Sequence, residues 1–317
     1  MSNNAVLVVV LASAVTYGTP LLFSALGELI TERSGVLNLG VEGMMLVGAV
    51  MGFWGVQKTG SLAAAVLVAA LAGAAMALIH AFLVVTLRAN QIVSGLALVI
   101  FAGAAGLSSY LGNTLNLADQ PARQAFGPLF PKSWQTVQFF GPILFKQSAL
   151  VYVSWACVIL VTLYLNRTRL GLNVRAVGES PAAADAMGIN VAAYRYAHTL
   201  VGGAFAGVGG ACFTLWITPQ WVDGITAGAG WIAIALVIFA FWRPTLCLVG
   251  AYLFGAFSGI PFAFQARGIL KGIPPELFQA LPYVMTIVVL VAVSSAGAKR
   301  RLGAPAALGT PYVREER

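Results

Sequence analysis

Charge is scarce in this chain. Lys, Arg, Asp and Glu make up 9% of its 317 residues, against about a quarter in ordinary soluble domains. So few charged groups cannot cover a soluble globule of this length, which excludes a soluble enzyme or regulator. Cysteine is scarcer still. Cys157, Cys212 and Cys247 each sit in an apolar run with no C-x-x-C pair, so neither a disulfide framework nor a thiolate metal site is expected, and the three read as small core residues. His80 and His198 lie far apart in sequence and read as packing or capping groups. No H-E-x-x-H and no ordered Ser, His and Asp set occurs. The nearest approach to a phosphate-binding loop, Gly52–Thr59, has Gln57 where a glycine must precede Lys58. Catalysis, a bound metal and a nucleotide cofactor are therefore not expected on this chain.

What is present is apolar length. Hydrophobic residues form 59% of the sequence and the mean hydropathy is +0.87. Charge is absent from Thr59–Leu87, Ala89–Ala118, Gln147–Asn166, Tyr196–Val222, Gly224–Trp242, Pro244–Ala266 and Leu277–Ala298. At about 1.5 Å per residue each run crosses a hydrocarbon core of about 30 Å, Gly224–Trp242 only just. Two further runs precede them: Ala5–Gly27, and Gly35–Gln57, interrupted only by Glu42. Met1–Asn4 carries no positive charge, so the first run reads as a retained span and not a signal peptide. The expected fold is all-α, a polytopic transmembrane helical bundle of about nine spans (range about eight to ten), some of them broken or re-entrant.

Residues 1–298 read as one membrane domain, with an outer loop over 113–146 and a loop on the opposite side over 166–196. The outer loop carries Phe126, Phe130, Trp134, Phe139 and Phe140, which suits a segment lying on the membrane surface. Residues 299–317 form a basic tail, rich in Ala, Gly and Pro and expected to be poorly ordered. The net charge of +8 follows topology and does not point to nucleic acid. Threading the spans puts Arg33, Arg88, Arg167, Arg169, Arg175, Arg195, Arg243, Lys299, Arg300, Arg301, Arg314 and Arg317 on one side, and Lys58, Arg123, Lys132, Lys146, Arg267 and Lys271 on the other. The richer side is expected to be cytoplasmic, with the C-terminus inside, the N-terminus outside and weak attraction to anionic lipid. Gly203–Gly207, Gly255–Gly259 and Gly73–Ala77 have the spacing that lets membrane helices approach closely.

The segment Asn166–Tyr196 is a polar island between apolar runs. Ser180 suits an N-cap and Pro181 the first helical position, while the alanines from Ala182 to Ala186 favour helix and Gly188 a left-handed stop. A helix of about seven residues is marginal alone in water, so it is expected to dock on a soluble partner. Inside the bundle, Glu42 is taken as the only acidic residue well within a span, and an ionisable group there marks a pathway or a buried pair. Asn38, four residues earlier, shares its face if the segment is helical. Two readings stand for this pair: a solute path or gate, or a hydrogen-bonded brace on a broken helix. Gln91 and Ser94 add uncharged polar groups, or cap a helix. Trp216, Trp221 and Trp231 read as an interfacial belt, with Trp231 the candidate for stacking on a planar ligand. No Lys or Arg lies deep in a span, so an uncharged polar solute fits better than an anion.

Several stretches resemble a known family. Arg175–Arg195 (RAVGESPAAADAMGINVAAYR) is similar to the coupling segment of ABC importer permeases of the simple sugar, nucleoside and branched-chain amino acid group. Glu32–Ala49 (ERSGVLNLGVEGMMLVGA) resembles the first signature of the nucleoside-type members. Asn90–Leu98, Thr226–Pro244 and Leu281–Thr286 follow in the family's order. The resemblance implies a permease of the bacterial inner membrane, paired with a second permease chain or a copy of itself. It further implies ATPase subunits that carry ATP and Mg, and an extracytoplasmic substrate-binding protein or lipoprotein. On that likeness Glu179, Ala183, Asp185 and Gly188 belong to the ATPase-coupling segment, and Arg175, Ser180 and Pro181 are assigned to it with them. The residues themselves, and not the likeness, put Asn38, Glu42, Gln91, Ser94 and Trp231 at the substrate path or gate. Gln91 departs from the acidic residue the family pattern leads one to expect, and Ala229 stands where a larger or polar residue is common. The rival readings are an autonomous proton-coupled secondary transporter using Glu42, and a membrane scaffold that transports nothing.

Overall fold

The computed structural model describes residues 3–103, 105–118, 120–265, 277, 280–293 and 303–314. The described chain is helical, and its only β pairing is three isolated bridges. The longest helix, α1 (Asn3–Arg33), runs without a break through Pro20. It packs against α10 (Val191–Cys212), α11 (Ala229–Phe239) and α12 (Pro244–Gln265). Next to it, α2 (Val41–Thr59) is buried on nearly every side, and α3 (Leu62–Ala81) packs on both α2 and α10. Among the described residues the other α-helices include α4 (Gln91–Ala102), α5 (Leu107–Thr114), the single turn α6 (Lys132–Gln135), α7 (Ala149–Arg167), α8 (Arg169–Glu179), α9 (Pro181–Ala186) and α13 (Leu281–Val293), and π-helical turns occupy Phe82–Thr86, Gly141–Phe145 and Phe213–Ile217.

Polar side chains at the helix starts satisfy orphan backbone amides, as Ser61 does for Ala64, Ser148 for Leu150, Thr168 for Gly171 and Asn190 for Ala193. Glycine sets how closely the central helices approach. At Gly207 on α10 a Cβ would run into the backbone of Ala69 on α3, and at Gly255 on α12 it would meet the α1 backbone at Ala14. Backbone-to-backbone packing of this kind is how helices associate where no water drives them together.

Among the described residues five helical stretches are long and apolar enough to cross a membrane: Leu7–Arg33, Leu62–Thr86, Gln91–Thr114, Ala149–Arg167 and Val191–Ile217. About nine were expected; Pro244–Ala266 and Leu277–Ala298 are described only in part, and two other runs are not helical throughout. From Gly35–Gln57 only the part from Val41 onward is helix. Gly224–Trp242 gives α11, whose 11 residues span about 16 Å, half a hydrocarbon core. The chain is irregular through 218–228 and becomes helical only from Ala229, so this run is interrupted.

The two ends of the bundle are defined by contacts. At one end Arg33 donates to the carbonyls of Trp242 and Gly303, and Thr86 meets Tyr196. At the other, Gln57 bonds the backbone of Pro121 and Arg123, and Phe126 donates to Leu215. Gln147 bonds the N-terminal part of α1 at Ala12 and Thr16, so the start of α1 and residues 303–314 lie at opposite ends. In the outer loop Phe130 stacks on Trp134 at 5.4 Å and meets Phe145 and Tyr152 edge-on. Two expectations are corrected. Trp221 is no interfacial residue: it is 4% exposed and packs with Ala49, Val50, Phe53 and Leu117. The tail is ordered over 303–314, where Pro305 and Ala307 are buried, because backbone groups elsewhere in the chain take up its hydrogen bonds. Arg267, Lys271, Lys299, Arg300, Arg301 and Arg317 lie outside the described residues.

Candidate functional site

Glu42 stands in the first turn of α2 and faces the first turn of α11. Its Oε1 accepts from Thr226 Oγ1 at 2.6 Å and Gly228 N at 2.9 Å, and its Oε2 from Gly230 N at 2.7 Å. The residues ahead of α11 turn through left-handed backbone at Ala227 (φ 46°) and Gly228 (φ 80°), which aims their amides at one point. A Cβ at Gly230 would lie 2.5 Å from the Cα of Glu42, so only glycine allows α11 this close. One carboxylate thus serves two helix N-termini at once, where unsatisfied N–H groups and the helix dipoles favour negative charge. Trp231 follows Gly230 in the same turn and is 37% exposed.

Asn38 does not share a helical face with Glu42, because residues 34–40 are irregular and α2 begins only at Val41. The Asn38 side chain instead accepts from Gly40 N at 3.0 Å, closing the loop ahead of the helix. Gln91 and Ser94 hold the same loop from α4. Gln91 Oε1 accepts from Leu37 N at 2.6 Å, while Ser94 Oγ bonds His80 Nδ1 at 2.9 Å and His80 Nε2 bonds Leu37 O at 3.1 Å. Asn38, Gln91 and Ser94 therefore meet on the Ser34–Gly40 loop, whereas Glu42 reaches across to α11.

Two functional candidates escaped the sequence reading. Glu42 is not the only acid inside a helix: Glu28 and Glu32 sit one turn apart in α1, each 1% exposed. Glu28 Oε1 accepts from Asn38 N at 3.1 Å, and Glu32 Oε2 accepts from Trp242 Nε1. These acids tie α1 to the Ser34–Gly40 loop and to the end of α11. Their spacing of four, continuing straight on from an apolar run, was the signal available.

At the end marked by Arg33, α8 and α9 form a bent pair. Ser180 caps α9 by accepting from Ala183 N, Pro181 takes the first position, and Gly188 closes the segment at φ 82°. Ala184 turns inward onto Val177 and Val191, while Ala182, Ala183, Ala186 and Met187 point outward, Met187 being 82% exposed. Arg175 lies on α8, four residues before Glu179. Glu179 and Asp185 both face the tail: Glu179 Oε2 accepts from Ala306 N at 3.3 Å, and Asp185 Oδ2 accepts from Tyr312 OH at 3.0 Å and pairs with Arg314 at 3.3 Å.

An all-α bundle with interrupted spans meeting on a buried carboxylate, and a capped helix presented at one end, is the build of a multi-pass membrane transport subunit. The chain belongs to the family described as branched-chain amino acid transport system / permease component, whose model matches residues 10–290. It is similar to the putative glucose ABC transporter permease protein TsgC13 of Haloferax volcanii, at 39% identity over 96% of this chain and 97% of that one. It is also similar to the nucleoside ABC transporter permease protein NupC of Lactococcus lactis, at 35% over 89% and 91%. The guanosine ABC transporter permease protein NupQ of Bacillus subtilis matches at 33% over 98% of both chains. No solved structure matches. The chain is thus an ABC transporter permease, a transport subunit and not an enzyme.

Proposed function

We propose that this permease moves an uncharged polar solute across the bacterial inner membrane for an ATP-driven importer. A nucleoside is the first choice, a simple sugar the second and a branched-chain amino acid the third. Partner ATPase subunits carry ATP and Mg and bind at α9, whose end of the bundle, with the C-terminus, faces the cytoplasm. A second permease chain or another copy completes the pathway, and an extracytoplasmic binding protein or lipoprotein delivers the solute. The observation that carries this reading is the bare outer face of α9, four small or flexible side chains on a helix too short to persist unsupported. Relatives named for nucleosides or glucose support these two classes of solute.

The working cycle follows from what α9 touches. Its inner side rests on α8 and on the start of α10, and α10 continues inward to lie backbone to backbone against α2 and α3. A partner that pulls α9 when it closes on nucleotide tilts α10, and with it the α2 end that carries Glu42 and anchors α11. Asn38, Gln91, Ser94 and Trp231 border that moving junction and form the solute path or gate. The partner biases an equilibrium between two arrangements of these helices. The rival proton-carrier reading of Glu42 finds no support, since both of its oxygens are engaged by α11 donors.

Replacing exposed Ala183 by Trp is expected to abolish co-purification of the ATPase subunits and ATP-dependent uptake while leaving membrane insertion intact. Continued co-purification with wild-type uptake would move the docking site elsewhere.

A further inference from the structure

We infer that residues 303–314 are a mechanical part of the coupling unit, tying α8, α9 and α10 to the Ser34–Gly40 loop. The inference rests on the reading of α9 as the ATPase contact. The tail crosses this end of the bundle in one continuous set of bonds. Arg33 Nη1 donates to Gly303 O at 3.3 Å, Ala307 N donates to Gly178 O at 2.9 Å, and Gly309 N donates to Gly35 O at 3.3 Å. Arg195, on α10 and 2% exposed, donates from Nη1 to Thr310 O at 3.1 Å. Its Nε and Nη2 have no partner among the described residues, so the tail carbonyl is what holds this buried guanidinium.

The acidic residues expected to meet an ATPase are instead engaged by this strap: Glu179 by the Ala306 amide, Asp185 by Tyr312 and Arg314. The strap also borders the partner's seat. Tyr312 and Arg314 share a cavity of about 410 Å³ with Arg88, Asp185 and the Gly188–Ala192 turn. A protein bound on α9 therefore touches the strap as well.

The chemistry of the attachment separates a brace from a salt-controlled latch. The ion pair from Arg314 to Asp185 has its Arg314 side chain 75% exposed, and a pair open to water in this way contributes little. The backbone bonds beneath buried Pro305 and Ala307 hold the segment. The far side of the Ser34–Gly40 loop is bonded by Gln91, His80 and Glu28. A displacement of α9 thus reaches this loop, and α2 beyond it, through the tail in parallel with α10.

The test uses the full transporter in proteoliposomes with ATPase subunits and binding protein. Deleting residues 303–317, or replacing Ala307 by Glu, is expected to leave ATPase co-purification and ATP hydrolysis in place. Solute moved per ATP should fall about 2- to 30-fold, the range for residues that transmit coupling without touching ligand. Wild-type solute-to-ATP ratios in both disrupted variants would overturn the inference. Should deletion prevent insertion, Ala307→Glu decides alone. Hydrogen exchange on the permease by itself gives an independent reading: slow exchange at Ala307 and Gly309 is expected, and free-chain rates at both would overturn the strap. Failure of the wild-type chain to bind any ATPase subunit would instead remove the reading of α9, and the exchange measurement keeps the two failures apart.

Discussion

Glu42 commits both carboxylate oxygens to donors that lie 184 to 188 residues away in sequence. Glu42→Ala would leave the Thr226 hydroxyl and the Gly228 and Gly230 amides unpaired in a buried site, at a cost of about 2–4 kcal/mol. Thermal unfolding in detergent should show the loss, with Glu42→Gln falling between because it keeps one acceptor but turns an amide group toward a donor. Uptake by the ATP-driven assembly should persist when the proton gradient is collapsed. Gradient-driven uptake without any ATPase subunit would restore the carrier role. The acid itself was legible in the sequence, since a lone carboxylate in an apolar run is costly and visible. Its partners were not, because nothing local in Thr226–Gly230 announces which acid they receive. Glu28 and Glu32 were missed for a different reason: treating an acid as the edge of a span ended the first span at Gly27, whereas one α-helix continues to Arg33.

The α9 segment was legible because its signals are local. Ser180, Pro181 and Gly188 each act within one turn, and the helix falls between them as their chemistry requires. Gly188→Ala meets no neighbouring atom but keeps a left-handed backbone at φ 82°, so a cost of about 1 kcal/mol is expected, with docking retained. The contrast lies on α10. Gly207→Val would force its backbone off α3, and overpacking of that kind costs about 1–3 kcal/mol or more. Folded yield in the membrane should fall sharply, while Gly127→Ala, which meets nothing within 4 Å, should leave it unchanged. Small-residue spacing identified Gly203–Gly207 as a contact face but not which helices it meets. The half-length of α11 was hidden as well, because the irregular residues 218–228 are as poor in charge as the helix that follows them.

On the proposed topology the two ends of the bundle face opposite sides of a membrane, and this can be checked chemically. Met187 is 82% exposed at one end and Leu129 56% exposed at the other, while Cys212 and Cys247 are buried and give little background. With Cys157, which is only half-buried, replaced by Ala, an impermeant maleimide on intact cells is expected to label Leu129→Cys and not Met187→Cys, with the order reversed in inverted vesicles. Labelling of both from one face would overturn the proposed topology. Membrane class was legible from composition. The folding back of the tail was not, since its composition describes a free linker and its order comes from bonds to backbone at Gly35 and Gly178. That placement fixes a sequence of events in biosynthesis. A chain grows from its N-terminus, so residues 303–314 leave the ribosome after every helix they hold together. A product terminated just short of them would be inserted and retained in the bilayer with its buried Arg195 unanchored, present in the membrane but moving less solute for each ATP spent.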